Sequence, residues 1–288
     1  MSLKLGFTAD QIVKDGRVTL QQIESVRCWS VTQNLPKLLD EQIVLFLLSC
    51  DNNIELTKNT IISHYAFKHR FPEVFTNRNI NSSELQTILK CVGGCELPIR
   101  LNGCTIVINT FIDNNYENFD LTKFVKIICM CYDSFGYDSP PEGIIVITDC
   151  KNFTPMFLTK LKISLLKAVT EYVQEGAPVR IKGLHIVNCG LAMDMAYKII
   201  KPFINREAHE RIHLHRNDDQ IHSFIPKKYL PKEYGGDLES ISVYQQKGIE
   251  KLMRLQEYFE LEEQQHRLGS TISLKLIISK HSCRVAVQ

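Results

Sequence analysis

Apolar residues three and four apart dominate the first third of the chain. On that spacing Thr19 to Val31 and Glu41 to Cys50 read as helices, the second with Asp40 placed to cap it. Leu56 to Phe67 reads as a third helix, stopped by Pro72, and the polar loop Thr76 to Ser83 closes this helical portion. The period then changes. Cys104 to Phe111 and Gly143 to Asp149 carry strand signals, with helices predicted over Thr122 to Phe135 and Pro155 to Glu175. The run GIIVITD at 143–149 is apolar without interruption, as expected of a strand buried on both faces. From Val179 to Val187 the period is two: Val179, Ile181 and His185 alternate with Arg180, Lys182 and Leu184. A turn at Asn188-Cys189-Gly190 opens an apolar helix, Met193 to Phe203, interrupted by Pro202. Gly248 to Arg267 reads as an amphipathic helix along Leu252, Leu255 and Phe259, its apolar stripe running out at Glu262. The tail from Leu268 alternates like a strand. Strands alternating with helices predict a mostly parallel sheet covered by helices.

Composition adds bounds. The 288 residues are 44% apolar and 23% charged, enough for one or two domains and a core able to hold a cavity. A net charge of +2 excludes a general polyanion binder, so any basic surface is local. Residues 1 to 30 carry Lys4, Asp10, Lys14, Asp15 and Arg17 without a long apolar run, so no signal peptide or membrane span is expected there, and the chain is expected in the cytoplasm. Ten cysteines in such a context read as free, buried thiols. Cys91/Cys95 and Cys129/Cys131 lack a second pair at zinc-ribbon spacing, so no structural metal is expected.

The chemistry-bearing patterns are few. His209-Glu210-Arg211-Ile212-His213 satisfies H-E-x-x-H, which on a helix would set two imidazoles toward one zinc with the Glu as general base. His215 stands at the wrong spacing for a distal third ligand, so zinc hydrolysis is set aside. The chain has no G-x-S-x-G elbow, no G-x-x-x-x-G-K loop and no G-x-G-x-x-G after a strand. Asp149 ends its strand with no nucleophile at a useful spacing, and a structural hydrogen-bonding role is expected. No enzyme, no resident cofactor and no nucleic-acid partner are expected.

Five segments in order, PVRIKG (178–183), HIVN (185–188), KPFI (201–204), ERIH (210–213) and LPKEYGG (230–236), resemble the CRAL-TRIO lipid-binding family, and within it the insect branch similar to α-tocopherol transfer protein. GIIVITDCKNFT at 143–154 and the helical run from Asp40 to Asn79 extend the resemblance over roughly residues 20 to 250. It implies an N-terminal helical domain (1–85), an α/β/α lipid-binding domain (86–245) with a mostly parallel sheet, an apolar cavity and a gate helix, and a C-terminal helix with a divergent tail (246–288). Carried over by position, the cavity wall is Val125 and Cys129, Ile144 and Thr148, Val169 and Tyr172, and Val179, Ile181 and Leu184. The gate residues are Met195, Ile199, Ile200 and Phe203, and Arg180, Lys182 and Arg211 match a phosphoinositide-binding groove. The chain departs from the family at Glu207, where a basic residue is usual, and at Leu45, Leu48 and Cys50, where arginines are common. The implied function is intracellular binding of one hydrophobic molecule, such as a tocopherol, retinoid or carotenoid, and its transfer between membranes by a monomer that visits them transiently. The alternative is a phosphoinositide-dependent membrane adaptor with little or no lipid cargo. A wall polar only at Thr148, Tyr172 and Cys129 favours a ligand with one hydroxyl or carbonyl.

Overall fold

A computed structural model describes residues 3–33, 35–217 and 219–270. The helical layer comprises α1 (Ala9–Lys14), α2 (Leu20–Thr32), α3 (Asp40–Ser49), α4 (Ile54–Arg70), α5 (Pro72–Phe75) and α6 (Ser83–Ile88). Thr19 caps α2 through a reciprocal box: the Gln22 amide donates to its hydroxyl at 3.2 Å, and the Gln22 side-chain oxygen accepts from the Thr19 amide at 2.8 Å. Asp40 is not the cap expected of it. Leu39 precedes α3, and the Asp40 carboxylate instead takes both arms of Arg27, at 2.9 and 2.6 Å. Asn53 caps α4, which runs three residues past Phe67 to Arg70. Pro72 opens a new turn, as its missing amide permits at a helix start. Ile23, Val26, Ile43, Val44, Leu47 and Ile61 form the buried seam of this layer, each contributing about 1.5–3 kcal/mol.

The sheet is built from β1 (Val92–Glu96), β2 (Cys104–Phe111), β3 (Gly143–Asp149), β4 (Ile181–Val187) and β5 (Ile212–Leu214), in that spatial order. β1 pairs antiparallel to β2 and the remaining pairs are parallel, so the sheet is mostly parallel, as predicted. The short strands β1 and β5 carry no period long enough to be read from sequence. Helices α7 (Leu121–Tyr137), α8 (Ile163–Glu175), α9 (Leu191–Ile200), α10 (Arg206–Glu210), α11 (Ile241–Arg254) and α12 (Gln256–Ser270) complete the chain. The helix expected from Pro155 is split: 155–160 is a 3-10 turn, Leu161 is extended, and α8 starts at Ile163. Fully buried Phe157, packed among Phe111, Phe119 and Phe153, holds the first turn in its own aromatic nest.

β3 is covered on both faces. Ile147 packs with Ile106, Ile108, Leu230, Tyr234 and Tyr244, while Ile144 and Val146 pack with Val107 and Phe135. The register between β3 and β4 shifts once: Ile144 pairs with Ile181 and Ile145 with Gly183, leaving Lys182 as a bulged residue. The bulge corrects the simple alternation expected of this strand. It puts Ile181 and Leu184 on one face and His185 on the other, where it pairs with His213. The amphipathic helix predicted from Gly248 is two helices, α11 and α12. Nor does its stripe run out at Glu262, which is buried against Lys68 and Arg78. Of the divergent tail, everything beyond Ser270 lies outside the described residues.

Candidate functional site: a half-buried sheet face beside a cation cluster

The face of the sheet carrying Ile144, Val146 and Thr148 lies toward α7, and toward α9 at the β4 edge. Val125, Cys129 and Tyr172 are buried in one cluster with Val169 and Val179 packed against it. Ile144 centres a second, in which Val179, Ile181 and Leu184 take part. Val179 therefore joins the two halves of the expected wall. Thr148 is aligned between Asn109 on β2 and Ile186 on β4. Thr148, Val169, Val179, Ile181 and Leu184 are all only half-buried. One of the polar points expected in the wall is already engaged: the Tyr172 hydroxyl lies 3.2 Å from His64 Nδ1, and its ring stacks on Phe67 at 4.4 Å.

α9 covers the β4 edge of this face, with Met193 against Leu184, Ile186 and Ile212. Its buried positions are Ala192 and Ala196, whereas Met195 is 43% exposed and Ile199, Ile200 and Phe203 are half-buried. Lys201-Pro202-Phe203 form a 3-10 turn that ends the helix, as the proline requires. A helix held by two alanines presents little interlocking bulk to the sheet.

The three candidate phosphate ligands come together, because the bulge at Lys182 brings Arg180 and Lys182 to the strand entrance and β5 pairing delivers Arg211 beside them. Burial lowers the Lys182 pKa, and the Arg180 and Arg211 charges lower it further. Two carboxylates answer them. Asp51, held at a left-handed φ of 49°, pairs with Arg180. Glu207 accepts from Arg211 Nη2 at 2.5 Å and lies 3.5 Å from Arg180 Nη2, while Arg211 Nη1 donates to the Ile181 carbonyl at 3.1 Å. The departure at Glu207 thus puts a negative group where the family's pattern would add a positive one. Lys182 is the cation of the three without a carboxylate partner among the described residues.

The remaining candidates resolve simply. His209 ends α10 and His213 lies on β5, stacked on His185 at 4.9 Å and against Phe224 at 4.5 Å, so H-E-x-x-H is broken by the end of a helix. Asp149 accepts from Tyr234 Oη at 3.1 Å, and from Asn188 Nδ2 and the Lys151 amide at 2.9 Å each, tying the strand end to the closing loop. Every cysteine among the described residues is a free thiol.

Sequence reasoning missed a buried ionic cluster behind the wall. Glu262 of α12 pairs with Lys68 of α4 and with Arg78, and Arg78 Nη1 donates to Asp133 of α7 at 2.7 Å. Two cations hold the Glu262 carboxyl well below its ordinary range even against burial, whereas burial raises Asp133, which shares Arg78 alone. The legible signal was a charge on each of two apolar stripes: Lys68 continues Ile61 and Tyr65, and Glu262 continues Leu255 and Phe259.

An α/β fold with a mostly parallel sheet, an apolar face under a short helix and a closing loop tied to a strand-end Asp defines the class. The profile described as CRAL/TRIO domain matches residues 101–236, and that described as Pinta-like, UBA domain matches residues 17–85. Just under half of the chain, residues 101–236, thus matches the CRAL/TRIO domain, which is consistent with the CRAL-TRIO family. It is 28% identical over 211 residues to human alpha-tocopherol transfer protein-like, covering 70% of this chain and 60% of that one. Human Clavesin-2 is 36% identical over 125 residues, covering 42% of this chain and 38% of the relative. The chain thus spans well under two thirds of these relatives' lengths. The crystal structure of Sfh5 superposes with a TM-score of 0.48 at 13% identity, covering 72% of this chain and 74% of that chain. No helix among the described residues is long and apolar enough to cross a membrane.

Proposed function

We propose that the chain carries one hydrophobic molecule, enclosed between the sheet face of Ile144, Thr148, Ile181 and Leu184 and helices α7 and α8, and passes it between membranes through movement of α9. The observation that supports this most is the half-burial of five wall residues, with Thr148, Ile181 and Leu184 on the sheet, Val179 just before β4 and Val169 on α8, beside a helix seated on alanines. Covering several hundred square ångström of an apolar ligand is worth roughly 25 cal/mol per Å², so useful affinity needs no covalent chemistry. With Tyr172 engaged by His64, Thr148 and Cys129 are the polar points left for a ligand bearing one hydroxyl or carbonyl. Arg180, Lys182 and Arg211 form a membrane-facing contact for a phosphate headgroup, weakened by Asp51 and Glu207. The same two carboxylates argue against the adaptor alternative, which needs strong phosphoinositide binding. The protein works without a resident cofactor, as a cytoplasmic monomer transiently at membranes.

Native mass spectrometry with organic extraction, on protein purified from a lipid-rich source, tests this reading. One stoichiometric hydrophobic ligand supports the carrier. A clean apo mass that stays unchanged after incubation with mixed-lipid vesicles sinks it and transfers the weight to the adaptor.

A further inference from the structure

A cavity of about 50 Å³ lies where the helical layer meets α7, the 140–143 loop, residues 178–180 and α12. Its chemistry differs from that of the sheet face. Its lining includes His64, Tyr65, Tyr132 and Tyr258. His64 and Tyr65 are each only 4% exposed. His64 Nδ1 lies 3.0 Å from the Gly176 carbonyl. A carbonyl can only accept, so Nδ1 carries the proton of the neutral ring, the Tyr172 hydroxyl oxygen at 3.2 Å accepts a share of it, and Nε2 is left as a bare acceptor. Burial, with Lys68 nearby, lowers the His64 pKa and keeps the ring neutral, and burial likewise keeps the Tyr65 hydroxyl protonated. Neither His64 Nε2 nor the hydroxyls of Tyr65, Tyr132 and Tyr258 have a hydrogen-bond partner among the described residues, and none is sealed from open space.

The charges beside the cavity are already matched. Lys68 and Arg78 face Glu262 and Asp133 in pairs, two against two, and Arg180, which also lines the cavity, is paired with Asp51. Leu45, Leu48, Pro140, Pro141 and Val179 supply apolar wall. Buried polar groups without partners are costly unless something occupies the space they face. On this measure a water needs about 10–15 Å³, so the cavity holds about three to five waters, or the hydroxylated end of a larger molecule.

We propose that this cavity is a binding site for the hydroxyl end of a neutral, phenol- or alcohol-type amphiphile, whose hydroxyl donates to His64 Nε2 and accepts from a tyrosine hydroxyl while its apolar body leaves along Leu45, Leu48 and Val179. It shares Val179 with the wall of the carrier reading but does not depend on that reading. Val179 and the Tyr172–His64 hydrogen bond are where the two adjoin.

The test is calorimetric titration of the full chain with 4-propylphenol, with 4-propylanisole as the isostere that cannot donate, and with inorganic phosphate as competitor. One saturable site is expected, at least tenfold tighter for the phenol, unaffected by phosphate, weakened about twofold to tenfold by Tyr132→Phe, which keeps the ring, and abolished by Leu48→Trp. Leu184→Trp, on the sheet face of the carrier reading, leaves it intact. Phenol and anisole binding alike, phosphate displacing the phenol, Tyr132→Phe leaving the titration unchanged, or loss in Leu184→Trp with retention in Leu48→Trp would each overturn the proposal. Extractable cargo in the Leu48→Trp and Leu184→Trp proteins separates this result from the fate of the carrier reading.

Discussion

Glu262→Gln is the sharpest perturbation of the scaffold. The side chains of Lys68, Arg78 and Glu262 are 2%, 0% and 4% exposed, so nothing in solvent can replace the charge removed. Gln keeps the volume and one acceptor, which leaves charge as the variable. The cluster goes from neutral to a net positive charge shared by Lys68 and Arg78, with Asp133 alone to answer them. Removing one partner from a buried ion pair costs about 3–5 kcal/mol, because the other is stranded in a poor solvent. At about 2–4 °C per kcal/mol for a chain of this size, the melting temperature should fall by about 6–20 °C.

The assay is thermal and urea unfolding followed by circular dichroism at neutral pH, in low salt and in 1 M NaCl. Salt screens exposed charges within a few ångström but not this cluster, so the loss should survive 1 M NaCl. Lys68→Met added to Glu262→Gln restores neutrality and should recover more than half of the loss, a coupling expected only between residues in one network. A loss under about 1 kcal/mol, the range of a surface pair, would refute the reasoning, as would a loss erased by salt or a fully additive double mutant. Because the folded carboxyl lies below its ordinary value of 4.5, the contribution is complete above that value and is lost only as acid reaches the depressed folded pKa.

Other outcomes follow from particular contacts. Ala at Arg180, Lys182 and Arg211 together should slow transfer to anionic vesicles while leaving extractable cargo in place; loss of cargo would show that these residues belong to the pocket. Glu207→Gln should do the opposite, raising salt-sensitive binding to phosphoinositide vesicles by freeing Arg211 and Arg180, and unchanged binding would count against the cluster as a contact. His185 and His266 are each held down to about 4, first by burial, so the unfolded chain binds more protons between 6.5 and 4. Stability should therefore fall as pH drops through that window, by less than about 1.4 kcal/mol per unit for each ring given their partial solvation; a urea midpoint that holds or rises from pH 7 to 5 would contradict this. Gly236→Ala should open the closing loop, because a Cβ there would stand 2.0 Å from the Leu230 carbonyl oxygen, and limited proteolysis after Leu230 would report it.

What could be read from sequence follows the length of the period. β2 and β3 fall where their strand signals placed them, because the apolar, β-branched cores Ile106–Ile108 and Ile144–Ile147 are too short for a helix and leave no competing assignment. β4 was legible as a strand but not in its facing. A bulge adds one residue without any change in residue type, so Lys182 reads as ordinary alternation while reversing every side chain beyond it. The consequence is functional: without the bulge Leu184 would share a face with the charged positions, and the wall would lose continuity with Ile144. The family resemblance carried Ile181 and Leu184 to the wall together where periodicity separated them, and the register gives the physical reason.

Longer-range features were illegible for a different reason. Each half of the Lys68–Glu262 pair sits on an amphipathic helix as a charge closing an apolar stripe, and helices normally do end their stripes in that way. Only the juxtaposition of α4 and α12, 194 residues apart in sequence, turns two ordinary surface charges into a buried pair. The cavity lined by His64 depends on the same juxtaposition, since Tyr258 and Glu262 come from α12 while His64, Tyr65 and Lys68 come from α4. The Glu262→Gln experiment therefore reads more than stability. If α12 loosens when its anchor is removed, 4-propylphenol binding should weaken in step with it.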